Sequence, residues 1–226
     1  MKRRSLPTLV VVMLALLLPA SAAAAERTVS VHGTVTQKVP NDTASLGFSV
    51  SVERKTRKAA LQAVAVGLRK VIATVQGTPG IGPGDISTGE ISVRKTTRGK
   101  RTLYRASEGI GVTLHEADRA GELVTAAIAA GATGTRGPNF FPGNPELAFN
   151  NALLAAFAQA KAKATALAAS AGATLGQVLS IEEGTEVSET VPVSAEGKGT
   201  TAAPSPPVKP GNSTVTATVR VVFALG

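Results

Sequence analysis

The sequence predicts an α+β protein: a mainly antiparallel sheet with a split β-α-β-like core, three helices packed on it, and extra N- and C-terminal strands. Three observations carry this prediction. Long stretches near both ends alternate apolar with polar residues, the period of a half-buried strand. Other stretches shift to apolar spacings of three and four residues, or to Ala-rich runs bracketed by capping residues. Between residues 42 and 141 the segments run strand, helix, strand, strand, helix, strand.

In order along the chain, Val29, Val31, Gly33, Val35 and Val39 alternate with Ser30, His32, Thr34, Thr36 and Lys38 as a first strand. Pro40-Asn41-Asp42 is turn chemistry. A second strand follows, with Ala44, Leu46, Phe48, Val50 and Val52 on one face and small polar residues on the other. The two are expected to pair as a hairpin. Leu61, Val64, Leu68, Val71 or Ile72, and Val75 then form one stripe of a helix that Thr56 caps and Gly77 ends. Ile86–Arg94 and Leu103–Leu114 read as strands joined by a basic turn, Lys95–Arg101. Asp118–Ala130 is a second helix burying Leu123, Ala127 and Ile128, and Thr133–Phe141 another strand. This order is a split β-α-β of the ferredoxin-like kind, with both helices on one face. Asn144-Pro145-Glu146 opens a third helix with a cap, a proline at the first position and an acid near the positive end of the dipole. That helix runs to about Ser170, and its Ala-rich surface allows close approach to a sheet or a second helix. Leu175–Ile181 and Thr214–Leu225 are the last strands. Gly184–Ser213, rich in Ser, Thr, Pro, Gly and Glu, is expected to be a mobile loop.

Residues 1–25 stand apart. Lys2, Arg3 and Arg4 precede an apolar run to Leu18, and Ala22–Ala25 supplies small residues for cleavage, the pattern of a secretory signal peptide. The remainder, 26–226, is expected to be a single exported, periplasmic domain. Composition narrows its chemistry. With no Cys there is no disulfide, thiolate metal site, Cys nucleophile or lipid-anchored Cys. Two His and 15 scattered Asp plus Glu leave little material for metal or acid–base catalysis. No catalytic, cofactor-binding or metal-binding residue is expected.

His32 sits on the polar face of the first strand, and His115 lies at a strand-to-helix junction where it could help cap the helix. Gly131-Ala-Thr-Gly134-Thr-Arg-Gly137 lacks the Gly-Lys-Ser/Thr ending of a phosphate loop and follows a helix, so it reads as a turn. Asp42, Asp85, Glu90 and Glu108 read as solvated surface. Asn41-Asp-Thr43 and Asn212-Ser-Thr214 match glycosylation acceptors, a pattern common by chance. One feature rises above this background. Arg94, Lys95, Arg98, Lys100, Arg101 and Arg105 crowd a single hairpin, while Arg54, Lys55, Arg57 and Lys58 crowd the start of the first helix. If those ends lie together, the patch would attract an anionic polymer or membrane surface. The competing reading is a solvated tip that discourages edge-to-edge pairing. Nucleic acid is disfavoured, because aromatics at 3% leave almost no stacking platform.

The ordered set of segments resembles the SIMPL-domain family, which includes periplasmic immunogenic proteins of Gram-negative bacteria. The resemblance rests on Val29-Ser-Val-His-Gly-Thr-Val, Val39-Pro-Asn-Asp-Thr-Ala-Ser-Leu, Ile86-Ser-Thr-Gly-Glu-Ile-Ser-Val and Tyr104-Arg-Ala-Ser. Gly131-Ala, Ala160-Lys-Ala-Lys-Ala, Leu167-Ala, Gly172-Ala-Thr-Leu-Gly-Gln-Val and the Val215–Leu225 strand complete it. It implies an exported, non-catalytic α+β protein, linked in some members to oxidative stress tolerance and in others to oligomeric assembly, and the expected mode of action is self-assembly or protein binding. Further copies of the chain are therefore the expected partners. The alternative is an envelope-binding module that holds anionic polymer or lipid on its basic hairpin. A hydrolase is the more distant alternative, since it would require Asp, His and Ser to converge.

Overall fold

The computed structural model describes residues 27–184 and 207–226. Its strands are β1 (Thr28–Pro40), β2 (Thr43–Arg54), β3 (Ile86–Thr88), β4 (Ser92–Arg98), β5 (Arg101–Leu114), β6 (Gly134–Phe141), β7 (Leu175–Gly184) and β8 (Asn212–Leu225). Its helices are α1 (Arg57–Gln76), α2 (Ala120–Ala129) and α3 (Pro145–Ser170). The strands form two antiparallel sheets, one ordered β1-β8-β7 and the other β3-β5-β2-β6, with β4 also paired to β5. The α+β class is as the sequence indicates.

The larger sheet is the split β-α-β unit. With β3 and β4 counted together as the interrupted second strand, the strands of that unit lie in the order 4-1-3-2, and α1 and α2 cover one face. On that face Leu46, Phe48 and Val50 of β2 and Ile110, Val112 and Leu114 of β5 pack against Ala60, Val64, Leu68, Val71 and Val75 of α1 and Leu123 of α2. Burying each Val, Leu or Phe contributes roughly 1.5–3 kcal/mol. Thr56 Oγ1 accepts a hydrogen bond from the Ala59 amide at 3.2 Å, so the cap read from the sequence is made. Ala60 rather than Leu61 heads the buried stripe, and Ile128 is 54% exposed rather than buried, because α2 turns Leu123 and Ala127 inward instead.

The smaller sheet packs on α3. Ala148, Ala152, Ala156, Ala160, Ala164 and Ala168 recur every fourth residue, and all are buried. The first five meet Val31, Val215, Ala217, Val219, Val221 and Phe223. Leu147, Leu154 and Leu167 point to solvent, so here small size, not hydrophobicity, selects the buried face. Gly33 completes the fit: a Cβ on it would lie 1.9 Å from the Ala156 carbonyl oxygen. Asn144 Oδ1 caps α3 through the Leu147 amide at 2.9 Å.

Other expectations are corrected at the level of strand pairing and strand bounds. The β1–β2 hairpin does not form. β1 pairs along its whole length with β8, from Thr28↔Ala224 to Pro40↔Asn212, while β2 pairs with β5 and β6. The chain at 41–42 steps from one sheet to the other, and its polar side chains fasten that step. Asn41 Nδ2 donates to the Pro210 carbonyl (3.0 Å), Ser213 Oγ donates to Asn41 Oδ1 (2.6 Å), and Asp42 Oδ1 accepts from the Gly143 amide (2.6 Å). Asn41 is 5% exposed, which removes it as a surface glycosylation acceptor. The strand expected over Ile86–Arg94 is interrupted at residues 89–91, and the basic turn shrinks to Gly99-Lys100, leaving Lys95 and Arg98 inside β4. The segment expected to be a loop at 184–213 falls mostly outside the described residues; Gly184 ends β7, and Asn212 and Ser213 already belong to β8.

Candidate functional site: the basic hairpin and the open face beside it

β4 and β5 form a hairpin whose turn, Gly99-Lys100, places Gly99 at φ 58°, a left-handed conformation suited to glycine. The register puts Arg94 opposite Arg105 and Arg98 opposite Arg101. Residues directly opposite share a face. Those four guanidinium groups therefore occupy the face of the sheet away from α1, while Lys95, opposite Tyr104, lies on the helix side. Opposed like charges are destabilising by several tenths of a kcal/mol or more.

Glu53 of β2 relieves this repulsion. It stands opposite Arg105 on the neighbouring strand. Its Oε1 accepts from Arg105 Nε at 3.0 Å and from a terminal nitrogen at 2.7 Å, and its Oε2 lies 3.4 Å from Arg98 Nε. Of the six residues singled out in the sequence, Arg98 and Arg105 are thus held by Glu53. Arg94, Lys95, Lys100 and Arg101 have no ion-pair partner among the described residues. All six side chains are exposed. The sequence offered no sign of Glu53, whose partners lie 45 and 52 residues away and meet it only through strand register.

The second basic group joins the first. β2 ends at Arg54, opposite Tyr104, and α1 begins at Arg57, so Arg54, Lys55, Arg57 and Lys58 lie at the hairpin end of the sheet. The first turn of α1 has no acid, and cations sit where the helix dipole is positive.

Along the same helix-free face the sheet falls away into a groove of about 460 Å³. Ser45, Gly47 and Ser49 of β2, Gly109 and Gly111 of β5, and Arg136 of β6 line it. The alternation in β2 was legible as small and polar, but the groove exists only because the register stacks Gly47 beside Gly111 and Ser49 between Gly109 and Gly134.

The remaining groups do not converge. His32 is exposed on β1, and its carbonyl accepts from Lys163 Nζ at 3.0 Å. His115 does not cap α2; its Nε2 lies 3.0 Å from Asp85 Oδ1 in the other part of the chain. Asp85 is correspondingly less solvated than expected. Its Oδ2 accepts from the Gly82 amide at 2.7 Å, and that bond, followed by the one from His115, holds its pKa below the ordinary carboxylate value. Among the described residues no three His, Asp or Glu side chains cluster as metal ligands, and no helix is long and apolar enough to cross a membrane.

The model of a family described as SIMPL, a protein of unknown function (DUF541), matches residues 29–223. This chain belongs to the SIMPL family. Two relatives of this SIMPL protein carry the name 26 kDa periplasmic immunogenic protein, one from Brucella melitensis biotype 1 and one from Brucella abortus strain S19. Each is 30% identical over 199 residues, covering 81% of this chain and 79% of the relative. The SIMPL match spans both sheets, including the basic hairpin, the groove and the α3 layer.

Proposed function

We propose that this SIMPL protein is exported to the periplasm, performs no catalysis and acts by self-assembly or protein binding through the open edge of its smaller sheet. One observation carries the reading, the contrast between that sheet's two edges. β1 is guarded by α3: Gln159 Oε1 accepts from the Thr34 amide at 2.9 Å, and Lys163 Nζ donates to the His32 carbonyl. β7 has no such guard among the described residues, and every residue from Gly176 to Glu183 is exposed. Val178, Leu179 and Ile181 lie along it at 38%, 39% and 57% exposure. An unprotected edge with apolar side chains is a template for another strand.

Location is supported by the basic and apolar start of the sequence and by the names of the relatives. Any part in envelope or oxidative stress tolerance is indirect. The chain has no Cys, and its only methionines are Met1 and Met13, both within the signal segment. The test is the molar mass of the exported chain by light scattering at low and high salt. A multimer that persists in salt and dissociates when Val178 and Ile181 become Lys is the expected result. A monomer at both salts overturns the reading.

A further inference from the structure

We infer that the helix-free face of the larger sheet is a binding site for an acidic polysaccharide, whose chain lies in the groove and whose charges are met by Arg136 and by the hairpin arginines. The inference stands apart from self-assembly through β7, which belongs to the other sheet.

The first argument is charge. Arg94 and Arg101 face this side of the sheet without a carboxylate partner among the described residues, and Lys100 stands at the turn between them. Arg136, in the groove, also has no ion pair among the described residues. Glu53 is the one acid the register places on this face of β2 and β5, and it is already engaged by two arginines. Glu90 follows Gly89 at the rim. From Gly47 to Glu53 the face extends six residues along β2, about 20 Å at roughly 3.3 Å per residue. Positive charge therefore stands at both ends of a neutral floor, an arrangement that matches an extended chain with repeated negative groups better than a single small anion.

The second argument is the floor itself. None of Gly47, Gly89, Gly109, Gly111 and Gly134 has a positive φ. Their φ angles would allow other residues, but a Cβ would be crowded at four of the five: 2.6 Å from Ser49 Oγ at Gly134, 2.9 Å from Ser87 Oγ at Gly111, 3.1 Å from the Phe48 carbonyl oxygen at Gly109 and 3.3 Å from the Gly109 carbonyl oxygen at Gly89. Gly47 is the exception: a Cβ there would meet the Arg136 Cβ at 3.4 Å, ordinary contact, and glycine inside a strand weakens it, so packing does not demand glycine at that position. Whatever selects them, these glycines bare the backbone along three neighbouring strands, which lets a ligand lie close to the sheet. The serines supply hydroxyls that both donate and accept, suited to sugar hydroxyls. Near the hairpin, Ser92 and Ser107 share a 3.0 Å hydrogen bond, and the Thr96 hydroxyl, between Arg94 and Arg98, is shielded from solvent with no partner among the described residues.

A membrane surface fits less well. The sequence has no Trp, and its one Tyr, Tyr104, lies on the helix side of the hairpin, so the basic end lacks an aromatic anchor. The groove would also stay empty against a flat bilayer.

The test titrates the purified exported protein with oligogalacturonate, with the matching neutral oligosaccharide, with inorganic phosphate and with phosphatidylglycerol vesicles. Binding to oligogalacturonate that weakens steeply with salt, without binding to the neutral sugar, is the expected result. Two variants divide the site. Arg94→Ala with Arg101→Ala removes exposed charge and lowers affinity by about tenfold at low salt. Ser45→Trp fills the groove at an exposed position, leaves the charge unchanged and abolishes binding while the melting temperature stays at the parent value. Retained binding in Ser45→Trp overturns the groove assignment, and an unaffected Arg94/Arg101 double variant overturns the charge assignment. Equal binding of phosphate and oligogalacturonate, or binding to vesicles alone, overturns the proposal as a whole.

Discussion

Replacing Gly33 with Ala tests how α3 is seated. The new Cβ would lie 1.9 Å from the Ala156 carbonyl oxygen, 2.8 Å from its carbonyl carbon and 3.0 Å from the Ala160 amide nitrogen. All three are backbone atoms of a helix, so no side chain can rotate away. The closest contact is about 1.5 Å too short, and α3 has to lift from β1 by a comparable amount. Lifting would loosen the buried alanines on either side, each of which has only one methyl with which to reach the sheet. Overpacking a rigid site costs roughly 1–3 kcal/mol or somewhat more. For a chain of this size about 3 kcal/mol corresponds to a fall in melting temperature of roughly 6–12 °C. The assay is thermal denaturation followed by circular dichroism, with Gly84→Ala as control. A Cβ on Gly84 meets nothing within 4 Å, and its φ is not positive, so that variant should melt at or slightly above the parent. A Gly33→Ala variant that melts with the control would refute the close helix–strand contact.

Three further outcomes are expected. Asn41→Ala strands the Ser213 hydroxyl and the Pro210 carbonyl in a buried joint and costs about 1–3 kcal/mol in urea denaturation, whereas an unchanged midpoint would mean that water reaches the joint. Asp85 has a depressed pKa, so its stabilising contribution is present above the unfolded-state value and is lost as the pH falls through the lower folded-state value. Asp85→Asn should therefore flatten the acid limb of a melting-temperature profile below about pH 4, and an identical limb in parent and variant would count against the Gly82 and His115 bonds. Glu53→Gln releases Arg98 and Arg105, so it should tighten oligogalacturonate binding at low salt while slightly lowering the melting temperature. Weaker binding would show that Glu53 positions the arginines rather than competing for them.

Much of this architecture was legible because local chemistry and global fold agree. Thr56 and Asn144 cap where they were read to cap, and the strand–helix order of residues 42–141 is the order of the larger sheet. The failures share one cause, the long range of the forces involved. Pro40-Asn41-Asp42 looked like a hairpin turn because Asn and Asp favour turns, but those same side chains are taken by partners near residues 143, 210 and 213. Ile128 reads as buried beside Leu123 and Ala127, yet the face of α2 that meets the sheet is set by those two and leaves Ile128 at its edge, in solvent. The basic cluster was visible as composition. Its division into paired and unpaired cations was not, since Glu53 reaches Arg98 and Arg105 only when β2 lies beside β5. The groove was hidden for the same reason, as glycines on separate strands become a floor only in register.

The pairing of β1 with β8 also sets an order of events. The first described strand has as its sheet partner the last one, nearly the whole chain away. A ribosome makes β1 long before β8 exists, and contacts of such sequence separation form slowly. The larger sheet, whose strands all lie between residues 43 and 141, can close on its own while β1 waits. Until the final segment arrives, β1 has no strand partner, and the alanines of α3 that meet β8 have nothing to cover them. Loss of even the last dozen residues would leave the N-terminal strand exposed, so a truncated product would be vulnerable to proteases at its beginning as well as at its end.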